Sequence, residues 1–240
     1  MAKTVLVGTL RSMILPLAPV NDYLYPSVQF MTDTEEPALG KREARKQDRR
    51  DAIVAAARRS FLEEGYAATS MSGLLKTLGG SKATLWSYFR SKEELFAAVI
   101  ADVTAAFRQQ VTSELLTPGE MEATLVNFCR VFMNKTAHPD AVAAWRLVVG
   151  ESGRFPEIGR IFYQEAAGHI ERALSGYIAQ QIDAGRLRNE GAVDMARTLT
   201  GMAAVHHNRR LWGIETADSD MIDAHARRFV GYFLRLFAVP

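Results

Sequence analysis

The chain has 240 residues, 48% hydrophobic and 23% charged, which is ordinary for a soluble globular protein, permits a sizeable core and argues against general disorder. Its net charge is only +2, yet residues 41–96 hold twelve Lys or Arg against seven Asp or Glu, while residues 97–240 hold fifteen against sixteen and residues 1–40 two against four. The positive charge is thus confined to one short segment, which either meets a polyanion or is simply a solvated helix face. A single cysteine, Cys129, excludes an intramolecular disulfide and fits a reducing, cytoplasmic setting.

At the N-terminus, Lys3 and Arg11 flank a short apolar run, Val5-Leu6-Val7, and a second run, Met13 to Val20, follows. Together they faintly resemble a secretory signal, but Arg11, Pro16 and Pro19 break the stretch, no clear cleavage site follows, and it is too short to cross a membrane. Residues 1–40 read as a disordered or non-native extension, and Met31, at the head of a polar segment, is the expected natural start. From residue 45 onward the apolar periodicity is helical. A first helix is expected over Arg45–Glu64, with Ile53, Ala57 and Phe61 on one face, ended by Gly65. Thr69 or Ser70 can cap a short helix, Met71–Leu78; Gly79-Gly80 turns the chain; Ser81 caps a second short helix reaching Tyr88. Ser91 then caps a longer helix, with Glu94 completing a capping box. Lys92 sits in its first turn, where the helix dipole disfavours a cation, so it either awaits an external anion or is a tolerated surface lysine.

Pro118-Gly119 opens a helix to about Ala137, and Pro139 opens another to about Glu151. Pro156 begins a long one, with Ile158, Phe162, Ala166, Ile170, Leu174, Ile178 and Ile182 recurring every four residues until Gly185. Two further helices are expected over Ala192–Trp212 and Ser219–Ala238. Cys129, among Leu125, Phe128 and Phe132, reads as a small buried residue rather than a nucleophile. The expected fold is all-α with about nine helices. An N-terminal three-helix helix-turn-helix domain over residues 41–96 precedes a helical effector-binding and dimerisation domain over 97–240.

Two short helices joined by a glycine turn behind a longer supporting helix are the parts of a helix-turn-helix, whose second short helix enters the major groove. Ser70, Ser72, Ser81, Thr84 and Ser87 are short donors suited to phosphate or base edges, and Lys82 opens the second helix. The run from Gly65 to Ser70 and the run Leu78-Gly79-Gly80-Ser81-Lys82-Ala83-Thr84-Leu85-Trp86-Ser87-Tyr88-Phe89-Arg90-Ser91-Lys92-Glu93-Glu94-Leu95-Phe96 closely resemble the DNA-binding domain of TetR-type regulators. The resemblance covers Arg49 to Ile100. It implies DNA-facing roles for Ser70, Ser72, Lys82, Ala83, Thr84, Trp86, Ser87 and Tyr88, and a phosphate contact for Lys92, with Leu85 and Phe89 in the core. The basic stretch Lys41–Lys46 either follows the DNA or is a solvated lead-in. Gly80 stands where the family usually has valine or isoleucine, and Leu75 where it has alanine. Leu75 is expected to fill the volume that Gly80 leaves, so Gly80→Val should overpack the motif.

One such domain covers about 600–1,000 Å², too little for useful specificity. A homodimer on a palindromic double-stranded operator is therefore expected. Gly201 and Ala204, which permit close approach, and the stripe Phe229, Phe233 and Phe237 are the candidate interface, part of which must be subunit core. Candidate pocket residues for a small apolar ligand are Phe107, Phe128, Phe132, Met133, Trp145, Phe162, His169, Met202 and His206. The segment Arg154-Phe155-Pro156-Glu157-Ile158 and the helix after it resemble the AefR-like subgroup of these regulators. Catalytic, metal and cofactor sites are not expected: Gly79-Gly80-Ser81-Lys82 lacks the spacing and preceding strand of a phosphate loop, and adjacent His206 and His207 point about 100° apart on a helix. The resemblance favours a ligand-released repressor; an activator of the same family and a helical scaffold protein are the alternatives.

Overall fold

The computed structural model describes residues 40–214 and 219–240. The N-terminal extension and the Met31 start lie outside the described residues. Helix α1 (Lys41–Glu64) begins four residues before the expected position. Lys41-Arg42-Glu43-Ala44 are all good helix formers, so nothing stops the helix from extending back to Gly40. Helices α2 (Met71–Leu78), α3 (Lys82–Tyr88) and α4 (Lys92–Leu116) each start behind a serine. Ser70 Oγ accepts from the Gly73 amide at 2.9 Å, Ser81 Oγ from Thr84 at 3.1 Å and Ser91 Oγ from Glu94 at 3.1 Å. The Glu94 carboxylate reaches back to the Arg90 amide at 2.7 Å, one residue beyond the usual capping-box partner.

Helices α5 (Met121–Ala137) and α6 (Pro139–Glu151) follow, the latter with proline at its first position, where no amide partner is needed. The long helix expected from Pro156 is interrupted. It runs as α7 (Pro156–Phe162), a π-helical turn (Tyr163–Ala167) and α8 (Gly168–Asp183). A four-residue apolar repeat drifts about 40° per step around a 3.6-residue helix. The wider π turn takes up part of that drift and keeps Ile158, Ala166, Ile170, Leu174 and Ile178 all buried. The next expected helix is likewise split, into α9 (Ala192–Ala203) and α10 (His207–Leu211), before α11 (Ser219–Phe237). The only extended pairing among the described residues is a single antiparallel bridge, Leu187 to Ala238.

Two apolar clusters hold these helices. One joins Ile53, Phe61, Tyr66, Leu74, Leu85 and Phe89 to Phe96 and Ile100 of α4, Leu147 and Val148 of α6, and Ile158 of α7. The other joins Val111 and Leu115 of α4 to α5, α8, α9 and α11. Helix α4 runs unbroken across residues 96 and 97, and α6 and α7 share the core of the three N-terminal helices. The packing boundary therefore lies deeper in the chain than the motif boundary. Cys129 is fully buried in the second cluster.

Candidate nucleic-acid interface and ligand cavity

The turn between α2 and α3 is built for glycine. Gly79 and Gly80 have φ of +65° and +101°, where a side chain is strained. Arg49 of α1 donates to the Gly79 carbonyl at 2.6 Å and the Leu78 carbonyl at 3.3 Å, and a Cβ on Gly80 would meet the same guanidinium at 3.0 Å. Leu75 packs at the edge of the core. The expectation that Leu75 fills space left by Gly80 is corrected: Gly80 is set by backbone conformation and by the arginine behind it. Nothing in the sequence around Arg49 marks it for this contact, whose partners lie 29 and 30 positions away.

Beyond this turn, Lys82, Ala83, Thr84, Trp86 and Ser87 of α3 are exposed, Trp86 at 40%, together with Ser70 and Ser72 of α2. Leu85 and Phe89 anchor α3 in the core, and Tyr88 is half-buried against it. Ser81 and Thr84 hydroxyls lie 2.9 Å apart, and Ser87 donates to the Thr84 carbonyl at 2.7 Å, so these short donors are held in place. Lys41, Arg42, Arg45 and Lys46 are exposed in the first turns of α1. Lys92 has a different setting. Its ammonium lies 4.2 Å from the centre of the Tyr66 ring, and burial lowers its pKa against the pull of Glu151, Glu93 and Glu157. Nothing local in the sequence marks Tyr66 as a partner of Lys92.

Tyr66 is the hub of the junction. Its ring packs on Phe61, Phe96 and Phe155, and its hydroxyl donates to Glu93 at 3.2 Å. Burial, reinforced by Glu93, holds that hydroxyl well above its ordinary pKa. The carboxylate of Glu151, at the end of α6, accepts the Tyr66 and Ala67 amides, both at 2.7 Å. A Cβ on Gly65 would meet that carboxylate at 2.7 Å, and Gly65 itself has φ +93°. At the other end of α6, Asp140 pairs with Arg58 of α1, which also lies 3.6 Å from Asp102. Helix α6 therefore grips the N-terminal helices at both ends. Sequence reading missed this grip, because nothing local marks Glu151 or Asp140 as more than surface acids.

The middle of α6 faces a cavity of about 340 Å³, bounded also by α4, α5, the end of α7, the π turn, α8, α9 and α10. Of the nine expected pocket residues, Phe107, Phe132, Trp145 and Phe162 line it. Phe128 and Met133 are sealed in the second core cluster, and Met202 packs at that cluster's margin. His169 is exposed on α8. His206 stacks on His225, with ring centres 4.3 Å apart, and its neighbour His207 lines the cavity instead. Polar groups are sparse there. Lys135 donates to the Val103 carbonyl at 3.1 Å, and burial lowers its pKa. Glu171 and Arg197 pair at 2.9 Å, with the Tyr163 hydroxyl 3.0 Å from Glu171.

The five candidate interface residues separate. Phe229 and Phe233 are buried within the subunit, and Phe237 is half-buried against the same core. Gly201 and Ala204 border the cavity. The large apolar residues left exposed near the C-terminus are others: Met221, Tyr232 and Leu236 on α11, Val205 after α9, Trp212 and Ile214 after α10, and Val239 after α11. Among the described residues, no helix is long and apolar enough to cross a membrane.

Comparison with known proteins supports the same architecture. The family described as bacterial regulatory proteins of the tetR family matches residues 53–99, and the C-terminal domain of AefR-like transcriptional repressors matches residues 123–239. The HTH-type transcriptional regulator BetI of Rhizobium meliloti (strain 1021) is 33% identical over 116 residues, 47% of this chain and 56% of that protein, so the chain spans a little over half of that relative. The flavonoid-responsive regulator FrrA superposes with a TM-score of 0.69 at 28% identity, covering 80% of this chain and 98% of that one. A TetR transcriptional regulator from Agrobacterium tumefaciens gives 0.61 at 26% identity, over 80% and 95%.

Proposed function

Because this chain belongs to the TetR family of transcriptional regulators, we propose that it is a homodimeric repressor released from a palindromic operator by a small apolar ligand. The observation that carries this reading is the position of α6. Its Ala141, Ala144 and Trp145 line the cavity, while its Asp140 and Glu151 hold α1 and the turn before α2. A ligand that binds better when α6 is displaced shifts the population toward a state in which the recognition helices no longer match groove spacing. On DNA, Lys82 with Thr84, Trp86 and Ser87 meets the major groove, Ser70 and Ser72 meet phosphates, and the basic turns of α1 add long-range attraction. FrrA is a flavonoid-responsive protein, and an apolar effector suits the aromatic lining of this cavity.

The test is fluorescence anisotropy with fragments upstream of the chain's own gene and of its neighbours. One palindromic fragment should outcompete bulk DNA by at least a thousandfold, with affinity falling log-linearly as salt rises. If every fragment competes no better than random DNA, the regulator reading fails. If an operator is found but no apolar compound weakens its binding, the release step fails alone.

A further inference from the structure

The cavity has a chemical character more specific than apolar. Its walls carry four aromatic rings, Phe107, Phe132, Trp145 and Phe162, with Trp145 and Phe162 meeting edge to face at 5.2 Å. Flat walls of this kind favour a flat guest, by offset stacking and edge contacts. An apolar cavity of about 150 Å³ holds one benzene ring; at about 340 Å³ this one accepts two fused or linked rings.

One lining residue carries a polar atom that is left over, closed off just behind the wall. His207 is only 6% exposed, edge-on to Trp145 at 5.3 Å, and its Nδ1 is buried with no hydrogen-bond partner. Burial holds the imidazole below its ordinary pKa, opposed by the Thr136 backbone, so the ring is neutral near pH 7. A neutral imidazole offers one N–H and one lone pair, and Nδ1 carries one or the other. A hydroxyl both donates and accepts, so it completes Nδ1 in either tautomer. The other polar groups of the lining each have a partner within the protein: Lys135 on the Val103 carbonyl, Thr104 on the Ile100 carbonyl, Thr136 on the Met133 carbonyl, Thr200 on the Ala196 carbonyl, and Arg197 on Glu171. A full negative charge on the guest would also be desolvated, with the burial-weakened Lys135 as its main counterpart.

We propose that the effector is a neutral, planar, two-ring aromatic compound bearing a hydroxyl, with its rings held by the aromatic walls and its hydroxyl hydrogen-bonded to His207. This rests on the reading of the cavity as the effector site. A hydroxyl-reading site rejects analogues that lack the group far more strongly than a greasy pocket distinguishes shapes, because its own polar atom is left unpaired.

The test uses the full chain, calorimetric titration and three probes: 2-naphthol, 2-methoxynaphthalene and 2-naphthoate. The wild-type protein should bind 2-naphthol at least tenfold tighter than either of the others. In His207→Phe, which keeps an aromatic edge against Trp145, the advantage over the methoxy compound should fall to within about twofold. Equal affinity for naphthol and its methyl ether in the wild type overturns the inference while leaving the cavity as a binding site. Tighter binding of the naphthoate overturns it in favour of anion capture by Lys135. A naphthol preference that survives in His207→Phe overturns the role of the histidine. Should that variant fail to fold, the wild-type affinity ratio decides alone. Absence of binding by all three probes overturns the inference together with this reading of the cavity, whereas operator binding is measured separately.

Discussion

Burial decides what Cys129 can do. The thiol is fully enclosed by α5 and its neighbours, and desolvation pushes its pKa up to about 12. The reactive thiolate is therefore almost absent at pH 8. Iodoacetamide should leave the native chain unmodified over hours at that pH and label it stoichiometrically in 6 M guanidinium, as read by intact mass. Rapid native labelling would refute the enclosed position. The residue's apolar neighbours made this burial legible in the sequence, since Leu125, Phe128 and Cys129 share a helical face. Pocket residues were less legible. Phe128 and Phe132 lie one turn apart with their rings stacked at 6.0 Å, yet the first is sealed in core and the second borders the cavity. What separates them is the helix packed at each height, which no periodicity within α5 encodes. Choosing between His206 and His207 fails for the same reason: sequence shows that the two diverge, but not which direction holds the cavity.

At the level of elements, starts written in local chemistry were readable. Ser70, Ser81 and Ser91 cap α2, α3 and α4 at the expected positions because a cap needs only its own next three residues. The glycine turn was placed correctly but explained wrongly, and the two explanations predict different outcomes. With φ at +101° and Arg49 against the missing Cβ, Gly80→Val should cost about 1–3 kcal/mol through backbone strain. Adding Leu75→Ala should not restore the loss. Recovery of the melting temperature in the double variant would reinstate overpacking as the cause.

Helix α6 makes a second argument at this scale. Glu151 accepts two amides with its two carboxylate oxygens, whereas an amide side chain has one acceptor oxygen. Glu151→Gln should therefore leave one of the Tyr66 and Ala67 amides unpaired. The expected cost is about 1–2 kcal/mol in urea unfolding, a moderate figure because the site is partly exposed. Hydrogen exchange should quicken at those two amides and not in α11. Unchanged exchange at both would mean that the α6 grip contributes nothing to holding the turn. No sequence signal pointed to this contact, since its partners lie 84 and 85 positions apart.

For the whole molecule, the homodimer proposed above raises the question of which face of α11 is free to meet a second copy. Phe233 is fully buried within one subunit and touches Phe237 at a ring separation of 4.9 Å, so the stripe first assigned to the dimer serves the core. Tyr232 and Leu236, four residues apart, stand outward at 42% and 52% exposure, and Met221 continues that side near the start of the helix. Exposed aromatic and aliphatic groups in a helical row suit a self-complementary two-fold contact. Two substitutions should then separate folding from assembly. Phe233→Ala removes a fully buried ring and should cost about 3–5 kcal/mol of subunit stability, read as an early unfolding transition. Tyr232→Glu combined with Leu236→Glu leaves the core untouched and should retain the helical circular-dichroism spectrum, yet sediment as a monomer. Since one recognition domain covers so little DNA, that monomer should lose at least a hundredfold in operator affinity while keeping its weak, salt-sensitive binding to bulk DNA. A doubly substituted protein that still sediments as a dimer and holds the operator at full strength would move the interface off α11 altogether.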